Sequence, residues 1–178
     1  MLEKNSDYTK LSDKIAAILA EKPSTMVRNM ALELGFSELE ITRCLPKEMH
    51  LELPKEDFVQ IWESMCLWGK FTFLAETSGA ILEIAGELPK GRIMHGMYNL
   101  MDKNFALGGH ILMENICHIW LVSKPAFGLE SHSVQFFSAK GQPCFSVYLG
   151  RDSKRNILPQ CKDGYMKLWN KYIKGVTI

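Results

Sequence analysis

The sequence predicts an α+β domain in which helices come first, a large antiparallel sheet follows, and one helix closes the chain. Three observations predict it. Apolar residues recur at helical spacing from residue 11 to 68. From Phe71 to Leu149 the period drops to two, in runs joined by short connections, as in an antiparallel meander. Helical spacing then returns in Tyr165, Trp169, Tyr172 and Ile173.

Each element has its own signal. A first helix runs from about Ser12 to Glu21, with Leu11, Ile15, Ile18 and Leu19 as its stripe and Pro23 as its stop. A second begins near Ser24, carries Met26, Val27, Met30, Ala31 and Leu34, and ends at Gly35. Ser37-x-x-Glu40 is a capping box that opens a third helix, closed before Pro46. The proline-bounded stretch "PKEMHLELPKED" reads as a polar linker, so residues 1–56 form a helical subdomain with its linker and 57–178 a second unit. A fourth helix from Asp57 to Trp68 presents Phe58, Ile61, Trp62, Met65 and Cys66, and Gly69 ends it.

Seven strands are expected beyond it. "KFTFLAET" and "AILEIAGEL" flank a Ser78-Gly79 hairpin signal. "RIMHGMYNL", "HILMEN", "ICHIWLVSK", "SHSVQFFSAK" and "CFSVYLGR" follow. By alternation both sheet faces look apolar: Ile119 and Leu121 oppose Trp120 and Val122, and Phe136 opposes Phe137. Helices can cover one face; the other needs a partner chain, an apolar ligand, or both. The closing helix lies near Asp163 to Lys174.

Composition narrows the function classes. The 178 residues carry a net charge of +1, which argues against nucleic acid as an obligatory partner. A helix-turn-helix look in "MALELGFSELEITRCL" raises a DNA-binding regulator as a remote alternative. Over residues 24–45, Glu33, Glu38 and Glu40 outnumber Arg28 and Arg43, a balance that repels phosphates. The first residues, "MLEKNSDYTK", lack the apolar core of a signal peptide, and no apolar run approaches a membrane span. A cytoplasmic protein without membrane insertion is expected. Five scattered cysteines form no C-x-x-C pair and read as small buried hydrophobes. Phosphate-binding glycine loops and a nucleophile elbow are missing from the sequence, and nothing marks Glu76, Glu83 and Glu87 as a matched acid/base set, so an enzyme is not expected.

Chemistry-bearing residues concentrate between His95 and His118. Cys117 and His118 are strand neighbours on opposite faces and cannot chelate one ion; His118 reads as a structural histidine. His110 follows Gly108-Gly109 at the start of a strand, where paired glycines let a flat ligand or another backbone come close. A surface histidine on a loop is the plainer alternative. Tyr98 shares a face with Met94 and Arg92 by alternation, with His95 on the other; a tyrosine oxygen can ligate ferric haem or simply sit at a sheet rim.

The stretches "WGKFTFLAETSGAILEIAGELPKGRIMHGMYNL", "GGHILMENICHIWLVSKPAFGLESHSVQFFSAKGQ" and "YLGRDSKR" resemble the ChuX/HutX family of haem-utilisation proteins, across Trp68 to about Arg155. The resemblance implies a large curved antiparallel sheet, paired with that of a second chain in a homodimer, similar to one half of a HemS/ChuS-type protein. It implies haem as the carried ligand in the 57–178 unit and transfer to a haem-degrading enzyme as recipient, with haem degradation by the chain itself as the alternative. The family's Gly-His-Ile histidine falls on His110 and its strand tyrosine on Tyr98, which stand as alternative axial iron ligands. Glu76 occupies a position where some members carry histidine. Arg92, Lys90 and Lys124 are candidate cations for the propionates, and Met94 is a candidate wall residue.

Overall fold

The computed structural model describes residues 2–77 and 79–175. Helix α1 (Leu2–Glu21) is followed by α2 (Val27–Leu34) and α3 (Glu38–Arg43). Gly35 ends α2 at φ 76°, its N–H donating to the Ala31 carbonyl. The capping box is complete: the Glu40 N–H donates to Ser37 Oγ, and the Glu40 carboxylate accepts from the Ser37 N–H at 2.9 Å. Helix α1 begins well before Ser12, because the polar first turns continue the same helical run.

The segment expected to be a linker contains a strand, β1 (His50–Leu53), set between two prolines and paired antiparallel with β7 (His118–Ser123). Its four residues are too few for periodicity to reveal, so the sheet begins before residue 57. Helix α4 (Phe58–Met65) follows, then β2 (Lys70–Glu76) and β3 (Ile81–Glu87). Ser78 of their expected hairpin signal lies outside the described residues. "RIMHGMYNL" is two strands, not one: β4 (Arg92–Met94) and β5 (Met97–Leu100), folded at His95-Gly96, whose φ angles are 53° and 76°. Two successive positive φ values make the type I′ turn that matches strand twist. Then come β6 (Gly109–Ile111), β7, β8 (His132–Phe137), β9 (Pro143–Leu149) and α5 (Pro159–Gly175).

These strands form two antiparallel sheets where one meander was expected. The larger has the order β1-β7-β8-β9-β2-β3, and the smaller β4-β5-β6. The apolar runs of β7 and β8 are explained by helices on both sides. One face sends Ile119, Leu121, Val134, Phe136, Phe145 and Val147 against α4, α5 and the small sheet. The opposite face sends Trp120, Val122 and Phe137 against α1–α3. Farther along that second face Ser133, Gln135, Ser146 and Tyr148 stand with Leu74 and Ile81, so beyond the helices it is mixed.

Between α2–α3 and this mixed stretch is a small cavity of about 130 Å³ that holds Arg28, Glu38, Glu76, Lys124 and Tyr148. Arg28 pairs with Glu76 at 2.8 Å. Burial, reinforced by the Glu76 carboxylate and opposed by Arg28, pushes the Glu38 carboxyl up to about 7. The folded chain therefore holds a proton that the unfolded chain has released. This contribution to stability is full below the ordinary carboxylate range and is lost as pH rises to about 7. Glu38→Gln is expected to flatten that dependence and to raise stability at pH 8 by on the order of 1 kcal/mol, screening included. Urea unfolding at pH 5 and pH 8 measures it; an unchanged pH slope would contradict the assignment.

Candidate functional site

The small sheet stands against the far end of the large one, and the gap between them is a cavity of about 410 Å³. Phe73 and Ala75 of β2, Leu82 and Ile84 of β3, and Cys144 and Phe145 of β9 form one side. Phe73, Ala75, Leu82, Ile84 and Phe145 share a face by ladder register: Phe73 is opposite Ile84 and Val147, and Ala75 opposite Leu82; Cys144 is the extra residue where the β8–β9 register shifts. Leu100, Leu107, Ile111, Leu112 and Ile116 form the other side. Phe73 stacks on Phe145 at 5.1 Å between centroids, so the floor carries stacked rings, and Phe145 stacks in turn on fully buried Phe136 at 4.4 Å. Leu82 and Leu112 remain about half exposed at the mouth. A volume of this size, apolar walls and few polar groups are what a flat organic ligand requires.

His110 borders the mouth of the cavity and brings a metal-ligating nitrogen to it; by ladder register its ring shares the face of Asn99, opposite to that of Leu100 and Ile111. It opens β6 after Gly109, whose φ of 136° an L side chain rarely adopts. His110 Nδ1 lies 2.6 Å from Asn99 Oδ1. Asn99 is buried, and its Nδ2 faces the carbonyl oxygens of Arg92, Met94 and Met97 at 3.1, 3.1 and 3.0 Å.

The turn at His95-Gly96 changes which residues share a side. Directly paired residues of antiparallel strands point the same way. Arg92 pairs with Asn99 and Asn99 with His110, so Arg92 stands in the row of His110, with Met94 beside it opposite Met97. Tyr98 pairs instead with Ile93 and Ile111. The expected grouping of Tyr98 with Met94 and Arg92 is therefore corrected, because a two-residue turn breaks the alternation that suggested it.

Tyr98 is a core residue, not a rim residue, at 1% exposure. Its ring meets Phe58 and Trp62 edge-on, and its hydroxyl accepts a hydrogen bond from the Gly91 N–H at 2.9 Å. Burial pushes the phenol up, away from the ionised form that ferric iron prefers. Lys90 is exposed in the loop before β4. Lys124 is on the opposite side of the large sheet: it is buried, donates to the Pro23 and Pro125 carbonyls, and is held down at about 8 by burial. It cannot serve the cavity of His110, since adjacent strand residues face opposite ways. His118 Nδ1 lies 3.0 Å from the Glu52 carboxylate of β1 and 3.2 Å from the Arg43 guanidinium, a polar cluster between strand and helix. Among the described residues no group of three His, Cys, Asp or Glu side chains is arranged to hold a metal ion.

Asn99 and the aromatic floor escaped the sequence reading. A signal for the first existed: an asparagine between Tyr98 and Leu100 in a strand must find partners if buried. For the second there was none, because the floor unites β2, β3 and β9 with residues 100–116 only through tertiary packing.

Residues 51–168 match the haem utilisation ChuX/HutX family. The chain belongs to that family. It is 39% identical over 150 residues to the intracellular heme transport protein HutX of Vibrio cholerae, covering 84% of this chain and 78% of that protein. The heme binding protein ChuX superposes with a TM-score of 0.80 at 31% identity, over 89% of this chain and 98% of that one. The heme degrading enzyme ChuS of Escherichia coli O157:H7 shares the fold at a TM-score of 0.72 and 16% identity, over 86% of this chain and 47% of ChuS. ChuX/HutX membership accounts for the α+β architecture, and the chain corresponds to about half of the ChuS length. No helix among the described residues is long and apolar enough to cross a membrane.

Proposed function

We propose that this member of the ChuX/HutX family is a cytoplasmic haem carrier that holds haem in the cavity between its two sheets, with His110 as the axial iron ligand. The observation that supports it is a histidine, braced by a buried asparagine, at the mouth of an apolar cavity floored by stacked rings. A porphyrin is a wide apolar plate with two carboxylates. Phe73, Phe145, Ile84 and Leu100 suit the plate, and Met94 extends that surface on the His110 side. Arg92, in the row of His110, and exposed Lys90 in the adjoining loop are the cations assigned to the propionates. His110 is preferred to Tyr98 because the phenol is enclosed and already bonded.

A single axial bond at an open mouth favours release as well as capture. The proposed recipient is a haem-degrading enzyme. The half-exposed apolar residues Ile81, Leu82, Ile93 and Leu112 support a homodimer, in which a second chain would shield them. Titration with ferric haem is expected to give a saturable Soret band on a dimer by sedimentation. Adding ascorbate under air is expected to leave that band intact until an acceptor protein removes the haem. Bleaching with release of iron would instead make the chain an enzyme, and the absence of any saturable band would overturn the reading.

A further inference from the structure

The cavity histidine has two ring nitrogens, and only one of them can carry the hydrogen in the neutral ring. Which one is decided by Asn99. Its carboxamide has two chemically different ends, and the hairpin fixes their orientation. Nδ2 lies against three backbone carbonyl oxygens, those of Arg92, Met94 and Met97. Turning the amide over would press its oxygen against three others inside a buried site, with no hydrogen between them. Oδ1 is therefore the end that meets His110 Nδ1, at 2.6 Å. An amide oxygen has no hydrogen to give, so the ring nitrogen must donate.

We propose that Asn99 is a positioning residue that locks neutral His110 in its Nδ1–H form and leaves the Nε2 lone pair as the free donor atom. Free histidine favours the opposite form, with hydrogen on Nε2, so the lock changes what the ring offers. The device is tied to the turn. Two of the three carbonyls that orient Asn99, those of Met94 and Met97, flank His95-Gly96, so hydrogen bonds join the I′ hairpin, the amide and the imidazole. The benefit to iron binding rests on the haem reading above; the tautomer does not. With the lock in place, Nε2 needs no proton loss or ring rotation before it meets a metal, and the Asn99 bond strengthens it as a donor.

Long-range ¹H–¹⁵N correlation spectra of the haem-free protein at pH 8 test the lock directly, with exposed His95 as an internal reference. His110 is expected to show a hydrogen-bearing Nδ1 and an unprotonated Nε2. In Asn99→Leu the resonances are expected to move toward the Nε2–H form. An Nε2–H ring in the unaltered protein, or an unchanged tautomer in folded Asn99→Leu, would overturn the proposal. If Asn99→Leu fails to fold, the spectrum of the unaltered protein still decides. Haem affinity is expected to fall roughly 10- to 100-fold in Asn99→Leu. An intact tautomer in a protein that ignores haem would remove the carrier reading and leave the lock standing. Haem bound through His110 with the opposite tautomer would do the reverse.

Discussion

Replacing His110 with alanine is expected to weaken ferric haem binding by roughly two orders of magnitude or more and to erase the spectral signature of a nitrogen ligand. Loss of a partner bonded to a metal ligand already costs about 10- to 100-fold in affinity. Loss of the ligand itself should cost at least the upper end of that range. The apolar floor stays in place, so residual binding is expected to be that of a greasy slot, broad in its Soret band and easily competed by albumin. Stability should change little, by about 0.5 kcal/mol, because the side chain is exposed and water can take its place at Asn99. Tyr98→Phe is the paired control. It removes the hydroxyl that receives the Gly91 N–H, which should cost about 1 kcal/mol of stability with the haem spectrum unchanged. A His110→Ala protein with the parental spectrum and affinity would rule out His110 as the ligand. A changed spectrum in Tyr98→Phe alone would give the role to the phenol.

Trp62→Ala is expected to be the most damaging single truncation in the core. The indole is fully buried on α4 and touches the rings of Phe58, Tyr98 and Phe145. Through these contacts it joins α4 to both sheets. Its Nε1–H donates to the Pro89 carbonyl at 2.9 Å, which fixes the approach to β4. Removing a buried tryptophan side chain costs about 3–5 kcal/mol. At about 2–4 °C per kcal/mol for a chain of this size, the unfolding midpoint should fall by roughly 10 °C. Trp62→Phe restores most of the volume but leaves the Pro89 carbonyl unpaired, a penalty of about 1–3 kcal/mol. Calorimetry on the two variants separates packing from hydrogen bonding. Equal losses in both would mean that the hydrogen bond, not the ring contacts, holds this junction.

Local signals in the sequence were read correctly where local physics governs. The Ser37–Glu40 box, the Gly35 stop and the stripe of α4 each depend on residues within one or two turns, and each is present. His110 could be singled out because the paired glycines before it are a local feature. The division into two sheets could not, since it turns on two residues. His95 adopts a positive φ that nothing in its own chemistry demands, and only with Gly96 does it fold the hairpin. Missing that turn exchanged the neighbours of Tyr98 and Asn99 and hid the amide that braces His110. Lys124 was misplaced for a related reason. Its partners are backbone carbonyls at Pro23 and Pro125, and no pattern in the sequence marks a carbonyl as a lysine's destination.

The pairing of β1 with β7, and of β2 with β9, has a consequence for how the chain is made. His50 finds Val122 and Phe71 finds Leu149, so both ladders close between segments far apart in the sequence. Such long-range pairing is slow compared with helix formation. On the ribosome the first three helices emerge long before Trp120 and Phe137, the residues they will cover. They must wait with their apolar stripes unsheltered until the tail of the sheet is synthesised. The vulnerable moment in this protein's life thus falls during translation, and a nascent chain halted short of residue 120 offers chaperones and proteases a greasy helical bundle with nothing to lie on.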